Sequence, residues 1–126
     1  MCNECPLHVT ARNRGILCEG KPRGLLLVGI GPGQTEDAVG RPFIGRSGIR
    51  LRTLCQKLTV PVAFTNLVGC RPPDDDPPGP CREVCWALNR SIEWMQPKCL
   101  VALGGMAASF LMGGLTKVET SRNKVL

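Results

Sequence analysis

Leu25-Leu26-Leu27-Val28-Gly29-Ile30-Gly31-Pro32-Gly33 is the stretch on which the fold turns. Four large aliphatic residues follow one another without polar alternation, which is the pattern of a strand buried on both faces. The run ends in a glycine-rich turn, where backbone can approach a ligand closely. A dinucleotide fingerprint would need a third glycine where Gln34 stands, and an acidic residue ending a second strand; neither is present.

Reading outward, a loop carries Glu36, Asp37 and Gly40-Arg41-Pro42-Phe43. The spacing of Leu51, Leu54, Cys55 and Leu58 predicts a helix over 47–58. Val62 to Val68 reads as a second strand, and the proline-rich segment Arg71 to Pro80 is a loop. A helix from about Arg82 to Met95 places Val84, Cys85, Leu88, Ile92 and Met95 on one face. Cys99 to Leu103 is a third strand, and Gly104-Gly105 opens a short helix through Met112. Toward the N-terminus, residues 1–23 are polar and irregular. Strands alternating with helices predict an α/β three-layer sandwich with a mainly parallel central sheet. Ligands of such sheets bind at the carboxyl ends of strands, where Gly29–Gly33 and Thr65–Cys70 lie.

A chain of 126 residues with 43% apolar residues suits one globular domain over 1–126, with 1–23 as its N-terminal segment. Its longest apolar runs are far too short to span a membrane. Met1-Cys2-Asn3-Glu4-Cys5 lacks a basic region followed by an apolar stretch, so a cytoplasmic location is expected. The net charge of +6 suits a polyanionic partner, with nucleic acid the obvious class. Eight cysteines without a signal peptide point to metal or cluster ligation rather than disulfides.

Cys2-x-x-Cys5 can bring two thiolates to one centre, and Cys70 and Cys85 flank the proline loop. Four thiolates suit either tetrahedral zinc or a [4Fe–4S] cluster, and spacing does not choose between them. Cys81 competes with Cys85 as fourth ligand, while Cys55 and Cys99 sit in apolar patterns expected of the core. Cys18 carries no assignment. Asn66, at the end of the second strand, has an amide with both a donor and an acceptor, which complements the O4 and N3–H edge of uracil.

With these residues in view, the chain resembles the iron–sulfur (family-4) uracil-DNA glycosylases over nearly its whole length and in order. CNECPL (2–7), GIGPGQTEDAVGRPFIGRSG (29–48), FTNLVGCRPP (64–73) and PKCLVALGGMAASFLMG (97–113) carry the likeness. The resemblance implies base-excision repair of uracil-containing DNA. It implies a [4Fe–4S] cluster on Cys2, Cys5, Cys70 and Cys85, with Cys85 favoured over Cys81. It implies that Phe43 stacks on an extruded uracil, that Asn66 reads its edge, and that backbone N–H groups of Gly31, Pro32, Gly33 and Gln34 (Pro32 itself having none) surround the pocket. It also places Arg71 near phosphate.

Two departures from the family pattern bear on catalysis. Ile30 stands where the family has a glutamate beside the attacking water, with Glu36 and Asp37 as nearby carboxylates. The family's C-terminal histidine motif has no counterpart before Leu126, so a C-terminally shortened fold is expected, with an exposed sheet edge open to a partner. The only histidine, His8, lies in the cluster segment and is expected to cap or be solvated. These departures leave two functions in play: a uracil-DNA glycosylase, or a catalytically impaired uracil/DNA-binding remnant or half of a split glycosylase. An unrelated zinc-binding nucleic-acid module is the third reading.

Overall fold

The computed structural model describes residues 5–72 and 85–112. Its elements, in order, are α1 (Leu7–Thr10), β1 (Glu19–Gly20), β2 (Leu25–Gly29), α2 (Gln34–Val39), α3 (Arg46–Cys55), β3 (Val62–Asn66), α4 (Ala87–Met95), β4 (Cys99–Ala102) and α5 (Gly105–Leu111). The sheet order is β1-β3-β2-β4. β2 runs parallel to both β3 and β4, and β1 is antiparallel to β3. The sheet is therefore mainly parallel, as its continuous apolar strands predict.

Alternation along the strands divides the layers. Leu26 pairs in register with Ala63 and Leu100, and these side chains share one face with Val28 and Ala102. That face packs under Leu88, Ile92 and Met95 of α4 and Ala107, Phe110 and Leu111 of α5. Leu26 is fully buried here, so Leu26→Ala would cost about 2–5 kcal/mol. Thr65 is buried against α4 and is satisfied there: Ser91 Oγ donates to Ala87 O (2.7 Å), leaving Thr65 Oγ1 to donate to Ser91 Oγ (2.8 Å). The opposite face carries Phe64, on which the Phe43 ring and the Arg52 guanidinium lie.

Several elements differ from expectation. The segment read as a loop around Glu36 and Asp37 is the helix α2, set between Gly33 and a left-handed Gly40 (φ 89°). Its one buried residue is Asp37 rather than an apolar residue, so no hydrophobic period marks it. β1 interrupts the supposedly irregular N-terminal segment, and exists only through pairing with β3. The second strand ends at Asn66, and the third at Ala102. The described part of the helix expected over 82–95 starts at Ala87; Cys85 precedes it, and Val84 lies outside the described residues. The α3 helix ends at Cys55, and Leu54 and Leu58 are exposed rather than packed on the sheet. Cys55 and Cys99 are half-buried rather than core. Among the described residues β4 is hydrogen-bonded on one side only, to β2.

Candidate functional site

The carboxyl ends of β2 and β3 meet where Gly29 pairs with Asn66. A Cβ on Gly29 would lie 2.6 Å from Asn66 Oδ1 and 2.9 Å from Phe43 Cζ, so only glycine lets the amide and the ring converge there. Asn66 is buried, and Phe43 is half-buried at the mouth. A cavity of about 260 Å³ opens between them, lined by Gly31, Gly33, Glu36, Phe43, Ser47, Gly48 and Asn66. Four of the expected pocket residues thus share one space: Gly31, Gly33, Phe43 and Asn66. Pro32 is fully buried, while Gln34 is the exposed first residue of α2 and does not line the cavity.

Phe43 has a backbone φ of 54°, in the left-handed region that bulky residues rarely adopt. Two side chains hold it there. Arg52 donates from Nε to Phe43 O (2.7 Å) and from Nη2 to Pro42 O (2.6 Å). Its guanidinium also meets Glu19 (2.8 Å), which Arg41 grips through a second pair of bonds. The hydrogen bond from Arg41 holds the Glu19 carboxyl below its ordinary range, against the opposing effect of burial and with help from the charge of Arg52. On the other side, Glu36 Oε2 accepts from Ile44 N (2.9 Å) and Gly45 N (2.7 Å). Burial pushes the Glu36 carboxyl up, but backbone donors led by Gly45, with Ile44 and Gly33, outweigh it and hold it below its usual value. Gly48 completes the loop: a Cβ there would lie 2.4 Å from the Phe43 carbonyl carbon. Sequence reading missed Arg52, Ser47 and Gly48 as parts of this site. The only signal was the dense glycine spacing of Gly40, Gly45 and Gly48 around Phe43.

The two carboxylates near Ile30 in sequence are engaged in structure. Glu36 binds the Phe43 loop, and Asp37 Oδ1 accepts from Arg12 N (2.9 Å) and Asn13 N (3.0 Å). Ile30 instead lines an adjoining cavity of about 280 Å³ with Gly31, Pro72 and Leu103. No carboxylate lines that space among the described residues. Arg71 is exposed next to buried Pro72, and exposed Arg46 adjoins Ser47 at the cavity wall.

A second cluster forms beyond the strand ends. Cys5, Cys70 and Cys85 pack together with Leu7, Val68 and Ala11. Gly69 N donates to Cys85 Sγ (3.4 Å), and Ile16 N to Gly69 O (2.7 Å), tying the N-terminal segment to the loop after β3. His8 bonds the Cys5 carbonyl through Nδ1, a local contact of the kind expected of it. Cys2 and Cys81 lie outside the described residues. Among the described residues no group of three or more His, Cys, Asp or Glu side chains is spaced to hold a metal ion. The donor chemistry nevertheless fits a thiolate-ligated cluster: three thiols share one apolar surround, drawn from the N-terminal segment, the segment after β3 and the approach to α4.

A mainly parallel sheet with an aromatic ring and a buried amide at its carboxyl edge defines the class, and the chain belongs to the uracil DNA glycosylase superfamily, whose family model matches residues 17–126. Among curated proteins it is similar to a type-4 uracil-DNA glycosylase from Thermotoga maritima, 38% identical over 128 residues, covering 94% of this chain and 66% of that protein. It is likewise similar to type-4 uracil-DNA glycosylases from Pyrobaculum aerophilum (38% over 117 residues) and Archaeoglobus fulgidus (34% over 115 residues). Those matches cover 88% and 87% of this chain, and 59% and 58% of the relatives. The chain thus spans roughly three-fifths to two-thirds of the length of the curated relatives it matches.

Proposed function

We propose that this chain acts as a uracil-DNA glycosylase, taking an extruded uracil into the cavity above Gly29 and releasing it by hydrolysis of the N-glycosidic bond. The observation that carries this reading is the convergence of the Phe43 ring and the Asn66 amide over a position where only glycine fits. Phe43 replaces the stacking that the base loses on leaving the helix. Asn66 Oδ1 accepts from uracil N3–H, and its Nδ2 donates to O4; that donor strengthens as negative charge develops on the departing base. Arg52 and Glu36 keep the ring in place from outside the cavity. Arg71 and Arg46, both exposed, would meet phosphate.

A [4Fe–4S] cluster would be held by Cys5, Cys70 and Cys85, with Cys2 as fourth ligand. When bound it would supply a cross-link between the N-terminal segment and the loops after β3, and no step of base removal. Uracil-containing DNA is the partner and base-excision repair the process. No helix of the described residues is long and apolar enough to cross a membrane; a cytoplasmic site of action is part of the proposal.

Ile30 bears on rate rather than recognition. Isoleucine neither orients a water nor takes a proton, and loss of one stabilising group in such a site typically costs about a hundredfold to a thousandfold. Slow turnover is therefore expected. A single-turnover assay tests the proposal: cluster-loaded protein is mixed with a uracil-containing single strand, and abasic sites are read by alkaline scission. The expected result is slow scission that Asn66→Ala abolishes and Ile30→Glu accelerates at least about tenfold. Retention of uracil-DNA with no abasic sites in either the parent or Ile30→Glu would make the chain a binding module instead.

A further inference from the structure

The outer edge of α4 carries a group of side chains that neither the core nor the cavity uses. Trp86, at the helix N-cap, is followed by Arg90 and Trp94 at intervals of four residues, so all three lie along one side of the helix. Arg90 Cζ stands 5.4 Å from the Trp86 ring centroid and 5.8 Å from that of Trp94, a cation held against two indoles. Trp94 is 55% exposed, and Arg90 is exposed as well. The packing needs of α4 are already met by Leu88, Ile92 and Met95 on its sheet-facing side. They give no reason for a large indole in water.

Basic residues bracket the row. Arg14 precedes Gly15, where a Cβ would meet Trp86 at 3.2 Å, and Arg23 N bonds Met95 O (2.8 Å) at the far end of the helix. Both arginines are exposed, and Glu93 is the only carboxylate of the helix. The row begins beside the cysteine cluster, since Ala87 at the start of α4 packs on Gly69, which lies between Val68 and Cys70. From Trp86 to Trp94 it extends about 12 Å along the helix axis.

We propose that Trp86, Arg90 and Trp94 form a stacking surface for single-stranded DNA, distinct from the uracil cavity and indifferent to base sequence. Bases stack on the indole of Trp94, and Arg14 and Arg23 meet the phosphates. Arg90 fixes the rings in advance, so less side-chain freedom is lost on binding. The proposal rests on DNA being the partner, but not on uracil recognition.

Both tryptophans of the chain lie in this surface, so intrinsic fluorescence reports on it directly. The test is titration with a labelled oligodeoxycytidylate, which lacks the uracil edge, reading tryptophan emission and strand anisotropy together. Saturable quenching that weakens with salt is expected in the parent and in Asn66→Ala alike. Trp94→Ala and Arg90→Ala should each bind about tenfold more weakly, and Trp94→Phe should restore most of the affinity. Strand binding with unchanged emission would overturn the proposal, as would equal affinity in Trp94→Ala or no strand binding at all. Emission that follows protein concentration instead of strand would assign the surface to a second copy and overturn it too. Because neither the strand nor Asn66→Ala engages uracil recognition, this outcome is separable from that of the glycosylase assay.

Discussion

Phe43 pays for its position in backbone strain. A bulky residue at φ 54° costs of order 1–3 kcal/mol, and the clamps from Arg52 and Glu36 offset it. Phe43→Gly should therefore remove the ring proposed to stack on the base while relieving the strain. The expected outcome is a melting temperature within a few degrees of the parent, and uracil release reduced by at least about a hundredfold. Thermal unfolding and single-turnover scission measure the two effects separately. Glu36 adds a pH dependence. Its folded-state pKa lies below its ordinary value of 4.5, so its contribution to stability is complete above that value and is lost as pH falls through the lower folded one. Acid unfolding of Glu36→Gln should accordingly lack the part of the parent's pH dependence that falls below about 4.5. Asn66 was legible in the sequence through the FTNLVGCRPP motif (64–73), although the strand was expected to run on to Val68 and ends at Asn66. The Glu36 clamp was not, because its partners are backbone N–H groups eight and nine residues away.

Among the elements, α3 departs most from its sequence pattern. Leu54 and Leu58 have helical spacing, yet both are exposed, as is Ile49. The helix is held to the sheet through Arg52, whose guanidinium lies over the Phe64 ring (4.7 Å) while bonding Pro42 O, Phe43 O and Glu19. Periodicity cannot reveal an anchor made by one charged residue. Lysine carries the charge but lacks the planar fork. Arg52→Lys should thus lower stability by about 1–2 kcal/mol and slow uracil release. Denaturant titration and single-turnover scission check this; full activity would show that the Phe43 loop does not depend on the clamp. The short helix α2 was illegible for a related reason: its buried residue is a carboxylate bonded to Arg12 and Asn13, and only its glycine boundaries hinted at it. The strands β2 and β3 were legible because burial on both faces leaves apolar runs, Leu25–Val28 and Val62–Phe64, whereas β4 is half-buried along its length and was legible from its apolar run alone.

For the molecule as a whole, two assemblies share the carboxyl end of the sheet: the cavity over Gly29, and the cysteine cluster built on Leu7 and Val68. The N-terminal segment joins them, through Asp37 on one side and Gly69 on the other. If Cys5, Cys70 and Cys85 ligate the cluster, Cys85→Ser should lose iron and acid-labile sulfide together and lower the melting temperature. Cys99→Ser, on β4, should retain both. Iron and sulfide analysis with thermal unfolding checks it, and an unchanged iron content in Cys85→Ser would remove Cys85 from the ligand set.

The central claim is that Asn66, beneath Phe43, reads the edge of uracil. Cytosine presents the opposite edge, an N4 donor and an N3 acceptor, so it should be refused by the same amide. The decisive measurement is the affinity of the protein for a strand bearing one 2′-fluorinated uridine, which resists glycosidic cleavage, against the matching 2′-fluorinated cytidine strand. A preference for uracil of at least about tenfold, collapsing toward unity in Asn66→Ala, is the predicted result. Equal affinity for the two strands in the parent protein would contradict it.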